Sequence, residues 1–453
     1  MISFDDARNT ILSSVQPLEA TRVSVRDALG RIAAETVAAD ADAVPFPRSA
    51  MDGYAVRAAE CFHATREHPL ELPLAGKVFA EEAESESILA PGTTLAITTG
   101  APLPDGADAV IPFEQIERQN STIRIFAPVA SGACVFPPGE DIRRGEELIA
   151  SGEPLSAGKL ALLAFAGTTQ LRVFQRPRVA VLCNGQELVD PAVTPGRGQV
   201  RNSNAIALIG LVTEFGGVPH DRGTAPDDPT ILSAMLESAR HDSDLLVTTG
   251  GASSGERDFV KGVLKDLGAK FIFEQVAMRP GKPFGFAVWH GKPICVLPGT
   301  PAAAFVCFQE LVRPVMARLA GKQETNLPVV RARLQGSLHA RSERRYFVLA
   351  RLDLTANGFV VTPLNNQCSA LVRTAADANA IIVVRETSSG GVSRMNSGEL
   401  VEVEVFEWPH GLAGAGSITQ DERDSVLLER PAGTTTISSW RCALPTRGVI
   451  HST

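Results

Sequence analysis

The apolar positions of the chain change period several times, and each change marks a segment. Phe4, Ala7, Ile11 and Leu12 recur at helical spacing behind Ser3, which predicts an amphipathic helix with a serine cap. Val25, Ala28, Leu29 and Ile32 behind Ser24 predict a second one. Val44-Pro45-Phe46-Pro47 then bars helix, because proline lacks the amide proton that a helix interior needs. Over 48–142 the period shortens. β-prone runs at 70–74, 94–98, 109–113 and 122–126 alternate with Pro/Gly turns, the pattern of a small β domain. Helical spacing returns at 156–165. The β segment therefore reads as an insertion into a helical N-terminal domain made of 1–47 and 143–176.

Strands and helices alternate over 177–326. Apolar runs at 179–182, 245–248 and 294–297 read as buried strands. Helices are predicted at 204–215 (stopped by Gly216-Gly217), from Asp227-Asp228-Pro229, at 258–267 (stopped by Gly268) and from Pro301 to Leu319. This alternation implies a mostly parallel sheet with helices on both faces. Polar loops 184–187, 249–258 and 298–301 follow the three strands directly, and ligands of such sheets bind at the carboxyl ends of the strands. Residues 327–407 read as a C-terminal β domain: Val401-Glu402-Val403-Glu404-Val405 alternates strictly, and Asn357-Gly358 marks a hairpin. The segment 408–453 has no period and is rich in Gly, Ser and Thr, so it reads as a disordered tail. The fold class is multidomain α/β.

Composition narrows the function. The 453 residues suffice for three or four domains. A net charge of -8 and only 6% aromatic residues argue against a nucleic-acid partner, which calls for a basic face or stacking platforms. No apolar run reaches the roughly 18 residues of a membrane span. The start, Met1-Ile2-Ser3-Phe4-Asp5-Asp6, has no signal-peptide character. The 7 cysteines are scattered, odd in number and without a Cys-x-x-Cys pair, so a disulfide framework or zinc site is not expected and a reducing cytoplasm is. The histidines show no ligand spacing.

Candidate chemistry sits in the strand-end loops and in two turns upstream. Ser49-Ala50-Met51-Asp52-Gly53-Tyr54-Ala55-Val56 presents a carboxylate on a tight turn; alone, an aspartate turning its own backbone is the plainer reading. Thr98-Thr99-Gly100-Ala101-Pro102 ends a strand in hydroxyls, or is a simple turn. Thr248-Thr249-Gly250-Gly251-Ala252-Ser253-Ser254-Gly255 lines up backbone amides before a helix start, an anion nest, against the plainer reading of a flexible glycine loop. Its glycine spacing mimics a P-loop, but Glu256 stands where lysine is required, which disfavours a Walker-type NTPase. Gly251-Ala252-Ser253-Ser254-Gly255 also fits the nucleophile elbow of α/β hydrolases, so a serine hydrolase using Ser253 is an alternative. Met278-Arg279-Pro280-Gly281-Lys282-Pro283 holds two cations on a stiff backbone, suited to a tetrahedral oxyanion such as phosphate or molybdate, or equally to a solvated turn. Acids recur in loops: Asp52, Asp141, Glu187, Asp227 and Asp258. Oxygen donors without His/Cys clusters suit Mg²⁺ with substrate phosphates rather than zinc, although Asp227 and Asp258 would each also make an ordinary helix cap.

Taken in order, these motifs, together with Gly139-Glu140-Asp141, Asn184-Gly185-Gln186-Glu187-Leu188 and Leu297-Pro298-Gly299-Thr300-Pro301, resemble the MoeA family over roughly residues 1–407. These are molybdopterin molybdenumtransferases, related to the C-terminal part of gephyrin. The resemblance implies insertion of molybdate into adenylylated molybdopterin with release of AMP, assisted by Mg²⁺. It implies an elongated homodimer of four-domain subunits, with the site between the α/β domain of one and the N-terminal and β regions of the other. Other molybdenum-cofactor biosynthesis proteins and recipient molybdoenzymes are the further partners it suggests. Residue by residue, it assigns catalytic roles to Asp52, Thr99, Asp141, Glu187 and Asp258. Substrate binding falls to Gly250, Gly251, Ser253, Gly255, Asp227, Pro298 and Pro301. Molybdate binding falls to Arg279, Lys282, Arg344 and Ser369, and metal binding to Glu187 and Asp258. The chain departs from the pattern at Asn184 and Gln186 (usually Thr and Asp), at Arg279 (Lys), at Thr300 (Asn), at Ala303 (Ser), and around Phe136-Pro137-Pro138, where an arginine is usual. A non-catalytic molybdopterin-binding or scaffold paralogue is the alternative these departures raise.

Overall fold

The computed structural model describes residues 1–80, 88–251, 259–341, 344–386 and 392–409. Ser253, Gly255 and Asp258 lie outside the described residues, as does the tail from residue 410.

The part that positions the site is a six-stranded sheet in the order Val218–Ala225, Arg178–Asn184, Leu245–Thr249, Lys292–Leu297, Gly285–Trp289, Lys270–Phe273. The first three pairings are parallel and the last two antiparallel. Its central strands are buried along most of their length because both faces are covered. Val181 and Val247 join one core, with helices Ser203–Glu214 and Arg313–Leu319. Leu182 and Leu246 join the other, with helices Pro229–His241 and Phe259–Asp266. The predicted helix from Pro301 to Leu319 is broken: Pro301–Cys307 widens into a π turn, Phe308–Val312, before Arg313–Leu319. Pro314 has no amide proton to donate four residues back, and the wider turn accommodates that gap.

Two expectations for the N-terminal region are corrected. The first helix, Phe4–Ser13, forms with Ser3 accepting from the Asp6 amide, but it does not build a helical N-terminal domain. Phe4, Ala7, Ile11 and Val15 are buried in the core of the α/β sheet, beside Val179 and Met316. The second helix is a single 3-10 turn, Val25–Asp27. Ser24 caps it through the Arg26 amide, but Ala20–Ser24 is already a strand paired with Gln170–Phe174. Pairing with a strand remote in sequence outweighs a weak local helical preference. Among the described residues between 20 and 176, only Ala157–Phe165 forms an α-helix.

Val37–Ala38 pairs with Glu147–Ile149, and inside that pair Arg48–Ser49 pairs with Val135–Phe136, so the chain enters and leaves the 48–142 segment through adjacent strands. Between them lies a six-stranded sheet, which adds Gly53–Val56 and Ile116–Gln119 to the runs seen in the sequence.

Beyond residue 328 the strands close on themselves. Arg345–Thr355 pairs with Gly358–Pro363 across the Asn357-Gly358 turn, and the ladder continues through Val329–Leu334, Leu400–Val405 and Ala380–Val384 back to Arg345–Thr355. The result is a small barrel filled by Leu334, Val348, Leu352, Ile382 and Val403. The segment Met278–Arg279 leaves the α/β unit and adds to this barrel, parallel to Arg345 and Tyr346. That pairing creates the site.

Candidate active site

The carboxyl ends of the three central strands are packed main chain on main chain. Thr249 Oγ1 donates to the Pro298 carbonyl at 2.8 Å. Asn204 reaches up from its helix and donates to Thr249 Oγ1 at 3.0 Å and to the Gly299 carbonyl at 2.9 Å. Gly250 has φ +90°, and a Cβ there would overlap the Asn184 carbonyl oxygen. A Cβ on Gly299 would stand 3.2 Å from Gly250 Cα. The approach of these loops leaves a bare glycine shelf at Gly250 and Gly251. Asn184 is buried beneath it, and its amide donates to the carbonyls of Ala225 and Pro226 at 3.2 and 3.3 Å.

Those bonds bring the next loop alongside. The cap expected at Asp227 is corrected: Asp228 takes the Thr230 and Ile231 amides at 2.8 and 3.1 Å, which leaves Asp227 half-buried at the strand end. Glu187 is exposed on the adjacent loop, its carboxylate folded over Gly185. Cys183, in the same strand, is no nucleophile, since burial pushes its thiol up to about 11.

The shelf runs through Pro298 and Thr300 into a cleft of about 1000 Å³. Its α/β wall carries Arg279 and Lys282, and its barrel wall carries Arg344, Tyr346 and Ser369. The Arg279-Pro280 peptide is cis, and Gly281 has φ +112° with no room for a Cβ beside Met278 and Cys307. This tight turn presents both cations outward. Arg279 lies over the Tyr346 ring at 5.5 Å, and the Ala302 amide donates to the Ser369 carbonyl at 2.9 Å, so both walls are tied together. Pro301 starts the helix at the rim and is half-buried. Among the described lining residues three are basic and none is a carboxylate, which focuses positive potential in an otherwise acidic chain. His339, Gln367 and Cys368 also line the cleft. No motif marked them, because they come from barrel segments whose placement follows from strand pairing.

Asp52 and Thr99 meet each other elsewhere. The Thr99 amide and hydroxyl donate to the Asp52 carboxylate at 2.7 and 3.0 Å, which corrects the reading of an aspartate turning its own backbone. The Thr99 amide, then its hydroxyl, holds the Asp52 carboxyl below the usual range although it is fully exposed. Asp141 is exposed at the neck of the insertion, where the Ala43 amide donates to the Ile142 carbonyl. None of Asp52, Thr99 and Asp141 lines the cleft of its own chain.

A glycine shelf at parallel strand ends, continuous with a cationic cleft closed by a separate barrel, defines a multidomain α/β protein with a positively charged cleft between two of its units. Residues 2–167 match the MoeA N-terminal region (domain I and II), 180–318 a probable molybdopterin binding domain, and 331–406 the MoeA C-terminal region (domain IV). A molybdopterin molybdenumtransferase of Nostoc sp. is 34% identical over 364 residues, 78% of this chain and 83% of the relative. One from Staphylococcus aureus is 28% identical over 406 residues, 90% of this chain and 96% of the relative. The solved molybdopterin biosynthesis MoeA protein from Pyrococcus horikosii is 34% identical with TM-score 0.76, covering 90% of this chain and 100% of that one. The chain belongs to the MoeA family, and is thereby a transferase of molybdenum cofactor biosynthesis. No helix among the described residues is long and apolar enough to cross a membrane.

Proposed function

We propose that this chain inserts molybdate into adenylylated molybdopterin with release of AMP. The observation that carries the reading is the cleft: Arg279, Lys282 and Arg344 converge on one volume with no carboxylate among its described lining residues, beside the glycine shelf at Gly250 and Gly251. Cationic donors suit a metal-oxo dianion, and the shelf suits the phosphates of the same substrate. Two Mo–S bonds form as two oxygens leave molybdenum with the thiol protons as hydroxide. The phosphoanhydride is cleaved by water. The protein's work is positioning, and no protein nucleophile is required.

Among the described residues no three His, Cys, Asp or Glu side chains converge to cage a metal. Glu187 and Asp227 are hard oxygen donors on adjacent loops, an incomplete set that fits Mg²⁺ shared with substrate phosphates. Bound there, Mg²⁺ supplies charge neutralisation at the phosphoanhydride. Asp258, assigned a metal role by resemblance, belongs to the same proposal. Asp52 and Thr99 stand off the cleft of their own chain, so the reading takes the protein as a cytoplasmic homodimer in which one subunit's Asp52 serves the other's cleft.

The test is purified protein with Mg²⁺, molybdate and adenylylated molybdopterin, with AMP read by chromatography. AMP release that depends on molybdate, and is lost in Asp52→Ala without a change in thermal unfolding, is expected. Release indifferent to molybdate overturns the reading.

A further inference from the structure

Arg344 and Tyr346 line the cleft, Arg345 lies between them at the start of the strand Arg345–Thr355, and alternation sends its side chain to the opposite face. There Arg345 is 8% exposed and fully engaged. Its guanidinium donates twice to Asp5, at 2.6 and 2.7 Å, and twice to Glu386, at 3.0 and 3.1 Å. It also lies over the Phe4 ring at 4.9 Å, and Phe4 packs on Phe347 at 4.8 Å.

The N-terminal residues at this point are woven into the turn that bears the cleft's cations. The Ile2 amide donates to the Gln275 carbonyl at 3.1 Å, and the Ala277 amide donates back to the Ile2 carbonyl at 2.8 Å. The Arg345 amide donates to the Ala277 carbonyl at 3.0 Å, and the register then pairs Met278 with Arg345 and Arg279 with Tyr346. Three chain segments meet at one arginine behind the cleft: its guanidinium holds the N-terminus and the barrel, and its main chain pairs with the α/β unit.

We propose that Arg345 is a positioning residue for the anion cleft: its clasp on Asp5 and Glu386 sets the spacing between Arg279 and Lys282 on one wall and Arg344 on the other. The inference rests on the reading that this cleft takes molybdate. Arg345 cannot act by attracting the anion, because two carboxylates more than neutralise it. Its role is geometric, and geometry and charge make opposite predictions for one variant. Asp5→Asn removes a negative charge near an anion site, so charge alone tightens binding. Loss of half the clasp loosens the walls and weakens it.

The experiment is calorimetric titration of full-length protein with molybdate, alongside KM values for molybdate and for adenylylated molybdopterin. Arg345→Met is expected to weaken molybdate by about tenfold, since small displacements of positioned groups carry large penalties. Asp5→Asn is expected to weaken it by about threefold, by the same argument. Arg345→Lys keeps the charge and recovers part of the loss. The KM for molybdate rises while that for adenylylated molybdopterin stays, a split that general destabilisation would not produce. If Arg345→Met does not fold, Asp5→Asn decides, because it alters a carboxylate that is 61% exposed. Unchanged or tighter molybdate binding in Asp5→Asn overturns the clasp. The site reading is tested apart from it. If the unsubstituted protein does not bind molybdate, or if Arg279→Ala with Lys282→Ala leaves binding intact, that reading fails instead.

Discussion

The cleft and the insertion turn both carry residues marked as functional, yet they are built in opposite ways. In the cleft, cations are crowded on a stiff turn, and their geometry is fixed by main-chain packing and by a clasp behind the wall. At the insertion, a lone carboxylate is tied down by one neighbour, Thr99, and faces solvent. The first arrangement gathers its cations within one chain. The second has an acid held in its ionised form and no place in the cleft of its own chain. The contrast teaches that motif strength in a sequence says little about whether a site closes within one subunit.

The largest effect separates the two regions. Arg279→Ala with Lys282→Ala should lower molybdate-dependent AMP release by on the order of a hundredfold or more. Both side chains are exposed, so denaturant unfolding should move by less than about 0.5 kcal/mol. A loss of stability comparable to the loss of activity would show that the turn is scaffold and not site.

Next comes the shelf. Gly250→Ala forces a side chain onto a backbone with φ +90° and into the Asn184 carbonyl. Chemical denaturation should show a loss of about 2–4 kcal/mol, with activity falling too. Gly100→Ala, at φ +82° with nothing within 4 Å, is the control from the insertion and should lose only about 1 kcal/mol. Equal losses would remove the claim that close main-chain approach distinguishes the shelf.

Asn204→Ala takes away the amide that bridges Thr249 and Gly299. Equilibrium unfolding should show about 1 kcal/mol lost, and the KM for adenylylated molybdopterin should rise while that for molybdate stays.

The smallest effect lies at the insertion. The folded value of the Asp52 carboxyl is the depressed one. The stabilisation this brings is present above the ordinary carboxylate range and lost as pH falls through the lowered value, so Asp52 stays ionised across the neutral range. Thr99→Val keeps the amide donor and removes the hydroxyl. The Asp52 titration, followed by carboxyl carbon NMR, should move up toward the ordinary value while activity at neutral pH changes little. A titration unmoved by the substitution would show that the hydroxyl contributes nothing.

Much of this was legible residue by residue. The strands around residues 179–182 and 294–297 announced themselves as apolar runs, that at 245–248 as three apolar residues and a threonine, and the strand-end loops followed. The turn with Arg279, Pro280 and Lys282 was readable as a rigid cation pair. Arg344 and Ser369 came only through family resemblance, and His339 not at all. They reach the cleft because the barrel pairs with Met278–Arg279, a choice made by residues tens of positions apart. The N-terminal helix misled for the same reason. Its period correctly predicted a helix, but a period has no address, and the apolar face packs on the sheet beginning near residue 178.

What the sequence determined by itself was the local repertoire: which segments extend, which coil, where glycine and proline turn the chain, and which turns carry charge. These follow from side-chain periodicity and backbone sterics within a few residues. Tertiary structure alone decided that the N-terminus braces the wall behind Arg344, that Asp52 stands away from its own cleft, and that one arginine, by its side chain and main chain together, joins three segments. Hydrogen-bonded pairing and burial act between residues hundreds of positions apart. Their free energy depends on the partner found, and no local pattern names that partner.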